Sequence, residues 1–174
     1  MSDPPMPARL ADLRRRAVEI VGPAGVRSDP ATRLLHSYDA SMEHGLADLV
    51  VAPGDRDELC ALVAAAYATG VPFVPRGAGT GYSGGALPAR GGMVILTAGL
   101  DRILATDAEQ GWIRCEPGVL LATVHRRAAE MGWRYVPDPS SYQVCTLGET
   151  SPRTPAARTP SAAARPPTTS GPST

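Results

Sequence analysis

The sequence predicts an α+β domain that contains one parallel β-α-β unit and ends in a disordered tail. Three observations support this fold class. An apolar run, a helical stripe and a second apolar run follow one another over residues 49–76, a glycine-rich loop occupies residues 77–92, and residues 149–174 contain no apolar residue larger than alanine. Strand, helix and strand in this order form parallel strands joined by a right-handed crossover. The 174 residues, 43% of them hydrophobic, are enough for one core.

The N-terminal region, residues 1–35, is predicted to be a helix followed by a loop. Apolar residues recur at steps of three and four over positions 7–21, which is the spacing of one helix face. The pair Gly22-Pro23 ends that helix. Residues 28–47 carry mixed signals and are predicted to be a loop with about one helical turn.

The β-α-β unit starts with a short apolar run at residues 49–52, which is typical of a buried strand. A helix is predicted over residues 55–69, with either Asp55 or Asp57 as its N-cap and a glycine directly after its last turn. The second strand, residues 71–76, contains two prolines. Because proline cannot donate to a sheet ladder, this strand is expected at an edge or as a short piece.

The remaining elements are shorter. A strand is predicted at residues 93–96, and residues 102–106 and 112–116 are predicted to form a hairpin. A third helix is predicted over residues 119–131, followed by a short strand near residue 135 and a turn at residues 137–141.

Composition narrows the function classes. Seventeen basic residues, all arginine, balance seventeen acidic ones, so neither nucleic acid nor an anionic membrane is the expected partner. No apolar run approaches the roughly 20 residues of a membrane span, and the N-terminus lacks the apolar stretch of a signal peptide. The three cysteines form no CxxC pair, and the three histidines are scattered. The sequence therefore predicts a cytoplasmic protein without a metal site.

The glycine-rich loop carries the chemistry. Residues 79–84 match the pattern GxGxxG, but Pro88 and the glycines after it prevent the helix that a Rossmann loop opens into, and no GKS or GKT follows for a P-loop. Glycines leave backbone N–H groups open to an anion. Thr80 and Ser83 add hydroxyl donors, and Arg76 adds positive charge. The pattern favours a diphosphate held by the backbone.

Several segments resemble one known family. The stretch PFVPRGAGTGYSGGALP at residues 72–88 resembles the pyrophosphate loop of FAD-linked oxidases of the vanillyl-alcohol oxidase and p-cresol methylhydroxylase (PCMH) type. Within that superfamily it is most similar to the group of D-lactate dehydrogenase and the glycolate oxidase FAD-binding subunit. Residues 48–53, the EPGV segment at 116–119 and the segments 137–141 and 145–148 agree with the family in the same order. The resemblance covers residues 36–148.

The resemblance implies a partial FAD-binding subdomain of the PCMH type and non-covalent FAD, because Thr80 stands where some members carry a flavin-tethering histidine. It implies two groups of cofactor-binding residues, one in the glycine-rich loop and one in a later segment. The first group comprises Arg76, Gly77, Ala78, Gly79, Thr80, Gly81, Ser83, Gly84 and Gly85; the second comprises Pro139, Ser140, Ser141, Thr146 and Gly148.

The family pattern breaks after Gly148. Members continue with Gly-Asn, whereas this chain has Glu149-Thr150-Ser151 and a tail rich in Pro, Thr, Ala and Arg. If one guanine nucleotide is inserted near codon 149 of a GC-rich gene, the shifted reading frame encodes the family-like sequence Gly-Gly-Asn-Val-Ala. Residues 149–174 are therefore expected to be disordered and translated out of frame. The gene sequence tests this frameshift hypothesis: a shifted frame that encodes no family-like residues would refute it.

The chain is accordingly expected to be a truncated oxidase that lacks the family's cap domain, so no catalytic residue is assigned. The full-length family passes a hydride from a 2-hydroxy acid, its small-molecule substrate, to the flavin, and this chain could associate with other oxidase subunits. The alternative is a non-enzymatic phosphate- or nucleotide-binding module that uses the tail for interaction. Bound flavin would favour the first hypothesis, and a reproducible tail partner without flavin would favour the second.

Overall fold

The computed structural model describes residues 5–150 and 163–164 of the chain. Its helices and strands are, in chain order, α1 (Met6–Val21), a 3₁₀ turn (Pro23–Gly25), β1 (Val26–Arg27), α2 (Pro30–Leu35), β2 (Leu49–Val51), α3 (Arg56–Thr69), β3 (Phe73–Arg76), β4 (Met93–Leu96), β5 (Ile103–Asp107), β6 (Trp112–Cys115), α4 (Leu121–Glu130), β7 (Arg134–Tyr135), α5 (Leu147–Thr150) and β8 (Ala163–Ala164). The mixture of helices and strands agrees with the predicted α+β class.

The central sheet has the strand order β1-β2-β4-β3. Strands β2 and β3 both run parallel to β4, with Val50 and Val74 on either side of Val94, and β1 is antiparallel to β2. The predicted parallel arrangement is confirmed, but β4 lies between the two strands of the β-α-β unit. Strand β3 lies at the edge, as its prolines predicted.

Helices α1 and α3 pack together and cover the sheet. Asp55 is the N-cap of α3 and accepts a hydrogen bond from the Glu58 amide at 2.9 Å, and Gly70 ends the helix in the left-handed conformation. The structure thus assigns the cap to Asp55 rather than Asp57. The core beneath the two helices consists of Leu13, Ala17, Leu49, Val51, Leu62, Ala65, Ala66, Val71, Met93 and Ile95.

A second, smaller core lies around α4. It consists of Val119, Leu121, Val124, Ala128, Tyr135 and Cys145. The segment before α5 runs beside the segment before α4: the Leu121 amide donates to the Cys145 carbonyl at 3.0 Å, and the Leu147 amide donates to the Val119 carbonyl at 2.8 Å. This pairing carries residues 145–150 back towards the glycine-rich loop.

Two regions differ from the predictions. Helix α2 has six residues rather than about one turn, because Asp29 caps it by accepting from the Thr32 amide at 2.9 Å. Glu149 and Thr150, predicted to belong to the disordered tail, end α5, and Ala163–Ala164 pairs with β7. The rest of the predicted tail lies outside the described residues. None of the helices in the described part of the chain has the length and hydrophobicity of a membrane-spanning segment.

Candidate functional site

Arg76 is the last residue of β3 and the first residue of the candidate site. Its side chain is buried, with 7% of its surface exposed. Its Nη2 donates to the Tyr38 carbonyl at 2.8 Å, whereas its buried Nη1 has no hydrogen-bond partner among the described residues. A buried guanidinium with a free donor favours an anion close by.

The residues after Arg76 form a nest of backbone donors. The amides of Ala78, Gly79 and Thr80 donate to the carboxylate of Glu149 at 3.1, 2.8 and 2.9 Å. The same carboxylate accepts from the amide of Thr146 at 3.0 Å and from its hydroxyl at 3.2 Å. We refer to the amides of residues 78–80 as the amide nest. Three successive N–H groups aimed at one anion are typical of phosphate sites.

The amide nest changes the ionisation of Glu149. Burial alone would raise the pKa of this carboxyl group, but hydrogen bonds from the backbone of Thr146, Thr80, Ala78 and Gly79 outweigh burial, so that the pKa is lowered. Glu149 is therefore an anion at neutral pH, and the nest stabilises that anion.

Two glycines give the nest its shape. Gly79 has a φ of +77°, and a Cβ there would come within 2.3 Å of Arg76 Nη2. A Cβ on Gly77 would come within 2.1 Å of Thr146 Oγ1 and 3.0 Å of Glu149 Cγ. Glycine at these positions allows the loop to lie directly against the guanidinium on one side and residues 146–149 on the other.

The amide nest lies between two open cavities. One, of about 470 Å³, is lined by residues 80–82 and 137–141 together with Cys145 and Glu149. The other, of about 620 Å³, is lined by residues 76–80 and by residues 35, 36 and 38–40. An extended ligand could therefore pass over the nest and reach into the space on both sides of it.

The structure brings together most residues of the two predicted groups. Arg76, Gly77, Ala78, Gly79, Thr80 and Thr146 surround the nest, and Gly81, Pro139, Ser140 and Ser141 line the smaller cavity. The other four are placed differently. Gly85 and Gly148 line a further, mostly apolar cavity, which Gly81 also borders. Ser83 is exposed, and Gly84 forms a turn by accepting from the Leu87 amide at 3.2 Å.

Gly148 has a packing role in the structure. Its amide donates to the Pro117 carbonyl at 2.8 Å, and a Cβ there would come within 3.1 Å of that carbonyl oxygen and of Pro117 Cβ. The close approach holds residues 145–148 beside the segment before α4. Gly148 thus positions Thr146 and Glu149 at the nest.

Four further residues were not predicted to belong to the site. Glu149 occupies the nest, the Tyr38 carbonyl orients Arg76, and Nε2 of His125 lies 3.0 Å from the Pro137 carbonyl, where it fixes the start of the 137–141 segment. The exposed ring of Tyr82 lines both cavities. In the sequence Glu149 lies beyond the last family-like motif, and a backbone carbonyl has no side-chain signature.

The residues present fit a diphosphate. Three backbone donors already bind a carboxylate as a stand-in anion, the neighbouring Arg76 Nη1 is buried and unpaired within the described residues, and the glycines leave room for close approach. No group of three or more metal-ligating side chains occurs in the described parts of the chain.

Known proteins resemble the chain over the region that contains this site. Residues 47–150 match the family described as FAD binding domain. The glycolate oxidase subunit GlcD of Bacillus subtilis is 35% identical over 138 residues, which are 79% of this chain and 29% of that protein. A D-lactate dehydrogenase of Anaerostipes hadrus is 33% identical over 114 residues, which are 64% of this chain and 24% of that protein.

Solved structures share the fold. A structure of p-cresol methylhydroxylase with bound substrate superposes with a TM-score of 0.64 and 14% identity, covering 72% of this chain and 26% of that one. The predicted PCMH-type fold is thereby confirmed. The chain spans less than a third of the length of each of these three proteins.

Proposed function

The chain belongs to the FAD binding domain family, and from this premise we propose how it holds the cofactor and which reaction it serves. The diphosphate of FAD binds non-covalently at the amide nest, Arg76 neutralises part of its charge, and residues 139–141 contact the portion that extends towards the flavin. The domain serves an FAD-linked oxidoreductase that acts on a 2-hydroxy acid.

The observation that carries this proposal is the convergence of three successive amides on one carboxylate. The donor distances of 2.8 to 3.1 Å lie in the range of good hydrogen bonds to an anion. A phosphate offers the same kind of negatively charged oxygen acceptors. A loop that only connects two strands would not need to aim its donors at one point.

The proposed cofactor residues fall into two sets. The phosphate set is Arg76, Gly77, Ala78, Gly79, Thr80, Gly81, Ser83, Gly84 and Gly85. The second set is Pro139, Ser140, Ser141, Thr146 and Gly148, with Thr146 adjacent to the nest and Gly148 acting through packing. Because threonine offers no nitrogen for a flavin tether, Thr80 supports non-covalent binding.

The substrate class rests on the relatives. Glycolate and D-lactate, which appear in the names of two similar proteins, are both 2-hydroxy acids. When bound, FAD supplies a hydride acceptor for oxidation of the carbon that bears the hydroxyl group. We assign no catalytic residue in this chain and expect no turnover from it alone. We also propose that the chain associates with other oxidase subunits, because the name of GlcD describes that protein as a subunit. A cytoplasmic location completes the proposal.

A cofactor-retention experiment tests the proposal. Purified chain is incubated with FAD, desalted and examined for protein-bound flavin absorbance, and acid precipitation should then release all flavin into the supernatant. FMN, which lacks the diphosphate, should bind much more weakly than FAD, and ADP should compete with FAD. Retention of ADP without any retention of FAD would instead favour a nucleotide-binding module, and flavin that stays with the acid-precipitated protein would refute non-covalent binding.

A further inference from the structure

Glu149 sits where the proposed diphosphate would sit. Its two carboxylate oxygens together accept the amides of Ala78, Gly79 and Thr80, and also the amide and hydroxyl of Thr146. These are the donors that a bound diphosphate would need. We propose that Glu149 is a tethered anion that closes the amide nest, so that a diphosphate binds only after the Glu149 carboxylate has left. This inference rests on the proposed function.

Charge makes the two occupants exclusive. The nest has one N–H group per residue, and each already donates to a carboxylate oxygen at 3.1 Å or less. A diphosphate placed beside an ionised carboxylate would meet like charge at close range in a partly buried site, where screening is weak. The affinity for a diphosphate is therefore lowered by the affinity of the nest for its own carboxylate.

The backbone around Glu149 keeps hydrogen bonds that do not involve its carboxylate. The neighbouring backbone is held by separate contacts: the Gly148 amide donates to the Pro117 carbonyl at 2.8 Å, and the Glu149 amide donates to the Thr146 carbonyl at 3.1 Å. Glu149 borders two cavities, so rotation about its side-chain bonds has open space into which the carboxylate can leave the amides. Opening the nest is thus a side-chain movement.

The structure also suggests what the opened nest would gain. Arg76 Nη1 is buried without a partner among the described residues, although its guanidinium lies directly beneath Gly79. The Glu149 carboxylate accepts from backbone amides and from Thr146, whereas Arg76 Nη2 donates to the Tyr38 carbonyl and its Nη1 has no partner among the described residues. A diphosphate, which carries more oxygens than a carboxylate, could use both the amides and the free guanidinium donor.

The test compares Glu149→Gln with the unmodified chain. Glutamine keeps the size of the side chain and removes its charge. Glu109→Gln is the matched control, because Glu109 is exposed in the β5–β6 turn, away from the nest. Dissociation constants are measured for FAD and, separately, for inorganic pyrophosphate. We expect E149Q to bind both about tenfold more tightly than the unmodified chain and E109Q to bind them as the unmodified chain does.

A second measurement uses the unmodified chain, so that it does not depend on whether the variant folds. The amide resonances of residues 78–80 and the carboxyl resonance of Glu149 are followed by NMR during pyrophosphate addition. If the carboxylate is displaced, the amide resonances and the carboxyl resonance shift together, and the carboxyl chemical shift moves towards that of an exposed glutamate. Pyrophosphate that shifts the amides while the carboxyl stays unchanged would overturn the displacement.

The outcomes separate the two proposals. Equal FAD binding by E149Q and the unmodified chain would overturn the role of Glu149 and leave the FAD proposal standing. Tighter pyrophosphate binding by E149Q without FAD binding by either protein would support the tethered anion and refute the proposed cofactor contacts. If neither protein binds FAD or pyrophosphate, both proposals are overturned.

Discussion

The guanidinium of Arg76 lies directly beneath Gly79: a Cβ on Gly79 would come within 2.3 Å of Arg76 Nη2. That nitrogen is already committed to the Tyr38 carbonyl at 2.8 Å, so the guanidinium cannot easily move aside. Gly79 also has a φ of +77°, which residues with a side chain rarely adopt. The amide nest therefore depends on glycine for two independent reasons.

Gly79→Ala is expected to weaken FAD binding by about tenfold or more, because the loop must move away from Arg76 and the three amides lose their common direction. FAD titration of the purified protein measures the effect. Gly99→Ala is the matched control, since its Cβ would meet only the Pro53 carbonyl oxygen, at 3.7 Å, and it lies outside the site. Unchanged affinity in G79A would show that the conformation at this position is not required for binding.

Arg76→Met is expected to weaken FAD binding by roughly 10- to 100-fold, the cost of losing a charged hydrogen bond of about 1.5–3 kcal/mol. Methionine fills much of the buried volume without the charge. The exposed Arg90, which lines a different cavity beside Pro72 and Phe73, provides the control variant Arg90→Met. If R76M and R90M bind FAD equally, Arg76 contributes to the loop only as a packing residue.

Much of the fold was predictable because its signals are local. The periodicity of α1, the cap and glycine of α3 and the β5–β6 hairpin are encoded within a few neighbouring residues, and the structure confirms each. The position of β4 between β2 and β3 was not predicted. Strand order depends on packing between distant segments, which a single sequence does not display.

The candidate site was predictable to a similar extent. The pattern of glycines, Arg76 and Thr80 identified the loop, and the resemblance identified the segments at 137–141 and 145–148. Glu149 was missed because its contact with Gly79 joins positions 70 residues apart, beyond the last family-like motif. Because the resemblance ends at Gly148, it gave no indication of a carboxylate in the nest.

Asp55→Ala is expected to lower the free energy of unfolding by about 1 kcal/mol, because the Glu58 amide loses its acceptor at the start of α3. Asp57→Ala is the matched control: Asp57 lies in the first turn of the same helix, where an acidic residue contributes a few tenths of a kcal/mol through the helix dipole. Urea unfolding of both variants checks the assignment. Equal losses would contradict the role of Asp55 as the N-cap of α3.

Arg102 directly precedes β5, Glu116 directly follows β6, and the two residues are hydrogen-bonded across the open end of the hairpin. The Glu116 carboxylate accepts from the backbone amide of Arg102 at 2.9 Å and from its Nη2 at 2.7 Å. The side-chain hydrogen bonds from Arg102, followed by the backbone one, lower the pKa of Glu116 in spite of burial. In the unfolded chain, without these donors, the pKa returns to its ordinary value of about 4.3.

Because the folded pKa lies below the unfolded one, ionised Glu116 stabilises the fold fully above the unfolded pKa, and this stabilisation is lost as the pH falls through the folded pKa. Glu116→Gln should therefore reduce stability at neutral pH, and the deficit relative to the unmodified chain should shrink below about pH 4. Urea unfolding between neutral and acidic pH measures it, with Glu109→Gln as the exposed control. A deficit that stays constant across that range would mean that the carboxylate charge contributes nothing and that Glu116 acts through packing alone.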